Sequence, residues 1–238
     1  NLLTTEAGSS STFTVVLNTQ PTDTVTISLS GNDATENSLS TNTLSFTAAN
    51  WNTAQTVTVT GENDDLDDGD ITTTLTATAS NTGGYAGTET STVTVKNTDD
   101  DTNGLTITET GSIDGSGNLL TTEAGSTSTF TVVLDAAPSA DVTVSLTGND
   151  TTEGSLSGTT LSETNTLTFT AADWDTPQTV TVTGENDDLD DGDITTTLTA
   201  TASNTGGYAG TETSTVTVKN TDDDTNGLTI TETGSIDG

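Results

Sequence analysis

The chemistry of this chain is carried mainly by its carboxylates, which are clustered rather than evenly spread. In the first half they form a run at residues 62–70 and a triplet at 99–101, with single acids at Glu6, Asp33 and Glu36. Carboxylates brought together repel, since two unit charges about 4 Å apart cost about 4 kcal/mol at an effective dielectric constant near 20. Divalent cations remove that cost. Ca²⁺, which accepts roughly 6–8 oxygens in tolerant geometry, fits such a site better than Mg²⁺.

The elements that would position these acids are short strands. Apolar residues alternate with Thr and Ser at a period of two, which is typical of strands with one buried face, and Gly, Asn, Asp and Ser separate the segments. Residues 47–51 are expected to form at most one helical turn. The predicted strands contain residues 11–17, 24–29, 44–46, 57–59, 71–79, 91–96 and 105–107. About seven short strands in roughly 100–120 residues predict an all-β, two-sheet sandwich.

The chain is also a tandem repeat. Residues 1–8 recur at 118–125, residues 56–115 recur unchanged at 179–238, and a six-residue insertion near 158–164 lengthens one loop of the second copy. A period this long suits a whole domain rather than a solenoid unit. We expect a first sandwich repeat at 1–103 without its leading strand, a second at 104–226, and the leading strand of a third at 227–238. Either the chain is an arbitrary cut through an array, or that last strand is donated to a neighbouring chain.

Composition excludes several classes of function. Thirty-six Asp and Glu oppose two basic residues, Lys96 and Lys219, and the chain contains no His and no Cys. Thiolate chemistry, disulfides and His-based acid–base catalysis are therefore excluded, and nucleic acid would be repelled. No apolar run approaches the roughly 20 residues of a membrane span. Because the chain starts at Asn1 without a signal peptide, we expect an excerpt or a mature piece. Paired carboxylates could suggest a glycosidase, but nothing else indicates a substrate cleft, so we do not expect an enzyme.

The strand order predicts where the acids meet. The run at 62–70 lies between two predicted strands, the triplet at 99–101 follows the last strand, Glu6 precedes the first, and Asp33 follows the second. In an antiparallel sandwich these strand ends can lie at one pole, which would bring the carboxylates together there.

These motifs resemble those of Calx-β domains, which occur in the sodium/calcium exchanger and as arrays in large bacterial surface proteins. The resemblance rests on Glu6-x-Gly8, Asp33, the run at 63–70 and the triplet at 99–101, and it covers nearly the whole of each repeat. It implies immunoglobulin-like sandwiches with Ca²⁺ at the pole facing the next domain. One departure is Ile71, where the family usually has an acid; Asp70 could substitute, or one ion could be missing.

The resemblance implies a set of metal ligands in each repeat. In the first repeat the candidates are Glu6, Asp33, Asp64, Asp65, Asp68, Asp70, Asp99, Asp100 and Asp101. In the second they are Glu123, Asp150, Asp187, Asp188, Asp191, Asp193, Asp222, Asp223 and Asp224.

Smaller motifs leave other interpretations open. Residues 99–104 match half of an EF-hand loop, but position 12 is Thr110 and a strand follows, so an EF-hand is rejected. The turn at 114–118 could bind a cation or be a plain Gly turn. The acid runs could also be a solvated face. Trp51 and Trp174 are expected to fill the core or a loop, although an exposed aromatic would suit a sugar-binding module.

The sequence as a whole predicts a non-catalytic, calcium-stiffened spacer from a secreted or surface-attached bacterial adhesin or fibre. Calcium would tie the triplet at 99–101, which also joins the repeats, to the loops of the preceding domain and let an array extend. The expected partners are neighbouring identical repeats, neighbouring chains in a fibre, and surface glycans. The alternatives are a filament subunit that polymerises by strand donation, a calcium-dependent carbohydrate-binding module, and a regulatory calcium sensor.

Overall fold

The computed structural model describes residues 1–234. The chain divides into two compact units, Asn1–Thr102 and Asn103–Gly238, hereafter unit 1 and unit 2. Every regular element in the described range is a β-strand, so the chain is all-β. The division falls one residue before the predicted repeat boundary at 103/104. Residues 227–234 form no strand, and the rest of the predicted third-repeat strand, 235–238, lies outside the described residues.

Unit 1 is a sandwich of a five-stranded and a three-stranded sheet. Its strands are β1 (Leu2–Thr5), β2 (Ser10–Val15), β3 (Val25–Ser30), β4 (Asn37–Leu39), β5 (Thr43–Phe46), β6 (Gln55–Gly61), β7 (Ile71–Ala79) and β8 (Thr90–Thr98). The larger sheet has the order β1-β8-β7-β3-β5 and the smaller β2-β6-β4. Neighbouring strands run antiparallel except β1, which pairs in parallel with β8.

Unit 2 repeats this arrangement and adds one strand. Its strands are β9 (Leu105–Glu109), β10 (Leu119–Thr122), β11 (Thr127–Leu134), β12 (Val142–Thr147), β13 (Gly154–Ser157), β14 (Thr166–Phe169), β15 (Gln178–Gly184), β16 (Ile194–Ala202) and β17 (Thr213–Thr221). The sheet orders are β10-β17-β16-β12-β14 and β13-β15-β11-β9. Two sheets of five and four short strands, packed face to face, are the immunoglobulin-like arrangement.

Alternation of apolar and hydroxyl side chains builds both cores. In β3, Val25, Ile27 and Leu29 are buried while the intervening Thr and Ser side chains face solvent. Threonine suits these outward positions because a β-branched residue favours the pleated backbone. The predicted period of two and the two-sheet class are thus confirmed.

Two short strands in each unit were missed by the sequence pattern. β1 and β4, with their copies β10 and β13, have three or four residues each, too few for alternation to be seen. Residues 47–51 form the single turn expected there, closed by the Trp51 N–H, which donates to Thr47 O across 3.0 Å. No helix within the described residues is long and apolar enough to cross a membrane.

Candidate metal centre

The parallel pairing of β1 with β8 sets the position of Glu6. Thr5 lies opposite Thr98 in this pair, so the residues that follow both strands, Glu6 and Asp99, emerge side by side. The Glu6 N–H continues the ladder by donating to Thr98 O across 3.1 Å. Two acids distant in the sequence are therefore placed together by the backbone itself.

The first cluster, hereafter the Glu6 cluster, consists of Glu6, Asp99 and Asp101. One carboxylate oxygen from each residue lies within 4.8 Å of the others. Backbone N–H groups hold the side chains in place, from Asp101 to Asp99 Oδ1 across 2.8 Å and from Gly69 to Asp99 Oδ2 across 2.6 Å. Glu6 is only 4% exposed. A buried carboxylate is costly unless it is paired, hydrogen-bonded, protonated or bound to a metal.

One oxygen of this cluster has no protein partner. Oδ2 of Asp101 is buried and accepts no hydrogen bond. Buried polar atoms are nearly always satisfied, and an exception calls for an ion, a water or a functional role. A cation shared with the neighbouring carboxylates would satisfy this atom.

A second cluster, hereafter the Glu36 cluster, consists of Glu36, Asp64 and Asp68, whose oxygens meet the same 4.8 Å criterion. Glu36 is buried immediately before β4. The amide of buried Asn97 fixes it, since Asn97 Nδ2 donates to Glu36 Oε2 across 3.4 Å and to Glu62 O across 3.2 Å. Asn97 Oδ1 in turn accepts a 2.9 Å hydrogen bond from Thr4 Oγ1. This chain of contacts ties the cluster to both strands of the β1–β8 pair.

The loop between β6 and β7 brings its acids to the cluster by turning sharply. Asp65 and Gly69 both adopt the left-handed conformation, with φ of 66° and 77°. Non-glycine residues are uncommon there, and Asp is among the few that tolerate it. The Leu66 N–H donates a hydrogen bond to Asp64 Oδ1 across 3.0 Å. These turns direct Asp64 and Asp68 towards Glu36.

The electrostatics show that the clusters carry excess negative charge. Burial raises the pKa of Glu6 to about 7, a rise to which the charges of Asp99 and Asp64 contribute. Burial likewise raises the pKa of Glu36 and of Asp68, each of which also faces Asp64. The pKa of Asp101 is raised by burial and then by the neighbouring charges of Asp65 and Asp100. Because Asp64 acts on both clusters, the two lie next to each other in the unit.

Four of the candidate ligands in unit 1 lie outside the clusters, namely Asp33, Asp65, Asp70 and Asp100. Asp70 and Asp33 have other partners. Asp70 forms an ion pair with Lys96, and the hydrogen bond from Lys96 lowers the pKa of Asp70. Asp33 caps its own turn, with Oδ1 accepting from Thr35 N at 3.1 Å and from Thr35 Oγ1 at 2.8 Å. Its charge still contributes to the raised pKa of Glu36.

Unit 2 contains the same two clusters, the Glu123 cluster (Glu123, Asp222 and Asp224) and the Glu153 cluster (Glu153, Asp187 and Asp191). Asp224 Oδ2 is again buried without a partner. Asn220 Nδ2 donates to Glu153 Oε2 across 3.3 Å, and Asp193 pairs with Lys219 across 2.6 Å. The lone Asp150 caps Thr152, as Asp33 caps Thr35.

The sequence therefore identified most members of the clusters but not all. The structure brings together ten of the predicted ligands, namely Glu6, Asp64, Asp68, Asp99, Asp101, Glu123, Asp187, Asp191, Asp222 and Asp224. Asp65 and Asp100 stand beside Asp101, and Asp188 and Asp223 stand beside Asp224. Glu36 and Glu153 were not among the predicted ligands. Their signal was an acid three residues after Asp33 and Asp150, directly before an Asn or Gly that starts a short strand.

Other candidate motifs have ordinary structural roles. Asp114 accepts hydrogen bonds from Ser116 N at 2.8 Å and from Asn118 N at 2.9 Å, so its turn is closed by its own backbone. Trp51 and Trp174 pack, partly buried, against the cores of units 1 and 2, as the sequence predicted.

The donor set fits Ca²⁺. Each cluster offers three carboxylates, and the chain has no His or Cys that would favour a softer metal. Hard cations prefer oxygen, and calcium tolerates irregular sets of mono- and bidentate carboxylates, carbonyls and water. The unpartnered Oδ2 atoms of Asp101 and Asp224 are where such an ion would restore a missing interaction.

Comparison with known proteins gives similarity only at the level of solved structures, because no family model and no curated protein matches the chain. The calcium binding domain CBD12 of CALX1.1 is 13% identical over 84% of this chain and 76% of that one, with a TM-score of 0.34. Protocadherin gamma B2 extracellular cadherin domains 1–5 are 12% identical over 94% and 38%, with a TM-score of 0.36. Domains 4 and 5 of the S-layer protein SbsC are 18% identical over 63% and 65%, with a TM-score of 0.31. At these values the likenesses carry no weight for function, which must be inferred from the carboxylate geometry.

Proposed function

We propose that this chain is a pair of non-catalytic structural repeats that bind Ca²⁺ at the four carboxylate clusters and are stiffened by it. The observation that carries the proposal is the pair of buried, unpartnered oxygens on Asp101 and Asp224, each within a cluster of three carboxylates. A solvated acidic face would leave its oxygens to water, whereas these two are withdrawn from it.

Calcium would act as a cross-link within each unit. In unit 1 the Glu36 cluster joins the start of β4, in the three-stranded sheet, to the loop that leads into β7, in the five-stranded sheet. The Glu6 cluster joins the ends of β1 and β8. A structural metal can take the place of a disulfide as a staple, and this chain has no Cys. When the free Ca²⁺ concentration is 100 times the dissociation constant, a single site adds about 2.7 kcal/mol to the free energy of unfolding.

Calcium would also fix the point at which the chain leaves unit 1. Asp99 and Asp101 are cluster members, and only Thr102 separates Asp101 from Asn103, where unit 2 begins. Holding both acids removes most of the freedom of this short linker. Without the cation the same carboxylates repel each other and the linker is free to swivel.

This mechanism suits a spacer in a secreted or cell-surface protein such as an adhesin or fibre. Extracellular calcium modules bind at roughly 10⁻⁴–10⁻³ M, and we infer that these clusters bind Ca²⁺ in that range. Neighbouring repeats would then be the principal partners. A net charge of −34 keeps such an array soluble and away from nucleic acid.

Thermal unfolding of the full chain tests the proposal, in calcium-free buffer, in about 10 mM Ca²⁺ and in Mg²⁺ at matched ionic strength. We expect Ca²⁺ to raise the unfolding midpoint well beyond the effect of Mg²⁺, because Mg²⁺ demands stricter octahedral geometry. The variant Asp101→Asn with Asp224→Asn should lose much of that increase, and the charge-matched double variant at two exposed residues, Asp23→Asn with Asp175→Asn, should retain it. Equal midpoints in all three buffers would exclude calcium and leave a solvated acidic face.

A further inference from the structure

The smaller sheet of unit 1 has an open edge. Its order is β2-β6-β4, so among the described residues β2 has a hydrogen-bonded neighbour on one side only. In unit 2 the equivalent strand β11 is flanked by β15 on one side and β9 on the other. The free N–H and C=O groups of β2 form a template for another strand.

The open edge exposes side chains that are buried in unit 2. Phe130 and Val132 on β11 are completely buried, whereas their counterparts Phe13 and Val15 on β2 are only half-buried. The next residue, Val16, is 46% exposed. Because the two units have nearly the same sequence, unit 2 acts as an internal control, and the difference follows from the strand that covers β11.

The uncovered surface is a groove between the two sheets of unit 1. It consists of two adjoining cavities of about 340 Å³ each. Both are lined by Val15, Val16, Ala77 and Ser91. Across the groove, half-buried Ala77 and Val93 correspond to Ala200 and Val216, which are buried in unit 2.

Strand β9 shows what fills the equivalent space. It pairs antiparallel with β11, with Leu105 opposite Leu134, Ile107 opposite Val132 and Glu109 opposite Phe130. Leu105 is buried in the core and Ile107 packs against it, while Thr106 and Thr108 face solvent. In unit 2 the equivalent space is therefore occupied by a strand of the sequence Leu-Thr-Ile-Thr-Glu.

The chain carries a second copy of that strand. Residues 228–232 repeat Leu105–Glu109 without change, yet they form no strand. Leu228 is 89% exposed and Ile230 is 83% exposed. A strand-forming segment thus has its two apolar side chains in solvent, and the groove it matches is open.

Glycines at both ends of the segment strengthen the match. In unit 2, a Cβ on Gly104 would lie 2.3 Å from Asp135 Oδ2, and one on Gly111 would lie 2.2 Å from Ser128 Oγ. The same two places are occupied by Gly227 and Gly234 beside residues 228–232. The free segment can therefore approach a β2 edge as closely as β9 approaches β11.

We propose that residues 227–234 of a second copy of this chain add to the free edge of β2 as an antiparallel strand. The pairing of β9 with β11 sets the register, which places Leu228 opposite Leu17, Thr229 opposite Val16 and Ile230 opposite Val15. Leu228 and Ile230 enter the groove, and Thr229 and Thr231 face solvent. The groove belongs to unit 1 and the segment follows β17 of unit 2, so two copies meet through different surfaces in a head-to-tail contact.

Cross-linking between two single-cysteine variants tests the occupant and the register. The chain has no Cys, so Val16→Cys and Thr229→Cys introduce the only thiols. The two variants carry tags of different length, so that a mixed dimer can be recognised by its size. They are mixed and treated with a short thiol-specific cross-linker. We expect a mixed dimer to form at least tenfold more than when Val16→Cys is replaced by Ser45→Cys, an exposed residue of edge strand β5.

Three results would overturn the proposal. The first is a mixed dimer no more abundant with Val16→Cys than with Ser45→Cys. The second is a chain carrying both Val16→Cys and Thr229→Cys that cross-links within itself at high dilution, since the segment would then fill its own groove. The third is a chain that sediments as a single copy at all concentrations.

A pair of neighbouring substitutions separates strand insertion from general stickiness. Ile230→Asp places a charge in the groove, whereas Thr231→Asp adds the same charge to the solvent face. Neither residue belongs to a strand of the described fold, so neither change removes a folded contact. In sedimentation velocity, Ile230→Asp should abolish association and Thr231→Asp should leave most of it. Equal effects of the two changes would contradict insertion in this register.

Discussion

The backbone N–H of Asp100 donates a 3.2 Å hydrogen bond to Oε2 of Glu6, a residue 94 positions away in the sequence. This contact closes the pole of unit 1 because Asp100 follows β8 and Glu6 follows β1. It provides a fixed N–H dipole for a buried carboxylate but no positive charge. The pKa of Glu6 stays raised, at about 7, in spite of it. The carboxylates at this pole therefore have a hydrogen-bond donor beside them but no positive charge that compensates their negative charge.

Asp68 and Asp70 provide a matched test of which acids bind calcium. Asp68 belongs to the Glu36 cluster, and Asp70, two residues later, pairs with Lys96. Asp68→Asn should lower calcium affinity by at least about tenfold, since even outer-shell changes at metal sites cost about 10–100-fold. Asp70→Asn should change it much less, because the charge it removes is already neutralised. Titration calorimetry on the full chain measures both.

The opposite order of effects would restore Asp70 as a ligand. In that case calcium would have to displace Lys96 from Asp70, and Lys96→Met should then raise the affinity. With Asp70 outside the site, Lys96→Met should change stability by no more than about 1 kcal/mol, as is usual for exposed ion pairs.

Asn97 is expected to support the Glu36 cluster although it carries no charge. Asn97→Ala removes the hydrogen bonds that Nδ2 donates to Glu36 Oε2 and Glu62 O and the one that Oδ1 accepts from Thr4 Oγ1. Leaving buried partners unsatisfied costs about 1–3 kcal/mol, so unit 1 should be less stable even in calcium-free buffer. Calcium affinity should fall as well, because Glu36 loses its orientation. Thr92→Ala, at an exposed position on the same strand, is the control.

Stability without calcium should fall as pH rises from about 4.5 to about 7. Burial raises the pKa of Glu6 from 4.5 to about 7, so in this window the folded protein holds a proton that the unfolded chain has lost. Unfolding is then favoured by each step to higher pH. Burial raises the pKa of Glu123 in unit 2 in the same direction. Urea unfolding of the calcium-free chain at pH 5 and pH 7.5 measures the effect.

The double variant Glu6→Gln with Glu123→Gln should flatten this pH dependence. Calcium binding near pH 6.5 should also release protons, because the ligands must be ionised. Calorimetry in buffers of different ionisation enthalpy detects that release. A wild-type chain whose stability rises steadily from pH 5 to pH 7.5 without calcium would contradict the raised pKa of these residues.

We expect that only glycine fits at position 61, where β6 lies close to β1. A Cβ there would lie 2.2 Å from Thr5 O and 2.5 Å from Asn97 Oδ1. Gly61→Ala must therefore displace the residue that precedes Glu6 and the amide that orients Glu36. Overpacking of this kind costs about 1–3 kcal/mol. Gly115→Ala, where a Cβ meets nothing within 4 Å, should be tolerated. Thermal unfolding of the two variants gives the comparison, and equal midpoints would contradict the close packing.

The period of two predicted most of the fold because each long strand buries one face. It missed β1 and β4, which are defined by their partners: β1 lies beside β8 through parallel pairing, and β4 lies beside β6. A parallel pair between residues more than 90 positions apart leaves no local pattern. The position of Glu6 next to Asp99 depends on that pairing, so the sequence indicated a common pole but not the contact.

The acid runs revealed the candidate site but not which members face inward. Glu36 was a lone acid in the sequence, but in the structure it is buried, accepts a hydrogen bond from Asn97 and lies beside Asp64 and Asp68. Asp70 lies in the densest run, but its carboxylate forms an ion pair with Lys96 from the neighbouring strand β8. Alternation along a strand can be read from sequence, whereas the direction of each side chain in an irregular loop is set by tertiary contacts.

The central claim, that calcium stiffens the chain, is tested most directly by small-angle X-ray scattering with and without Ca²⁺. The measurement uses the Ile230→Asp variant, which we expect to remain as single copies in solution. We predict a narrower distribution of interatomic distances and lower flexibility with about 10 mM Ca²⁺, and a broader ensemble in calcium-free buffer. Asp101→Asn should reduce the difference, since Asp101 lies at the end of unit 1. The same distribution in both buffers, with calcium binding confirmed by calorimetry, would contradict the account.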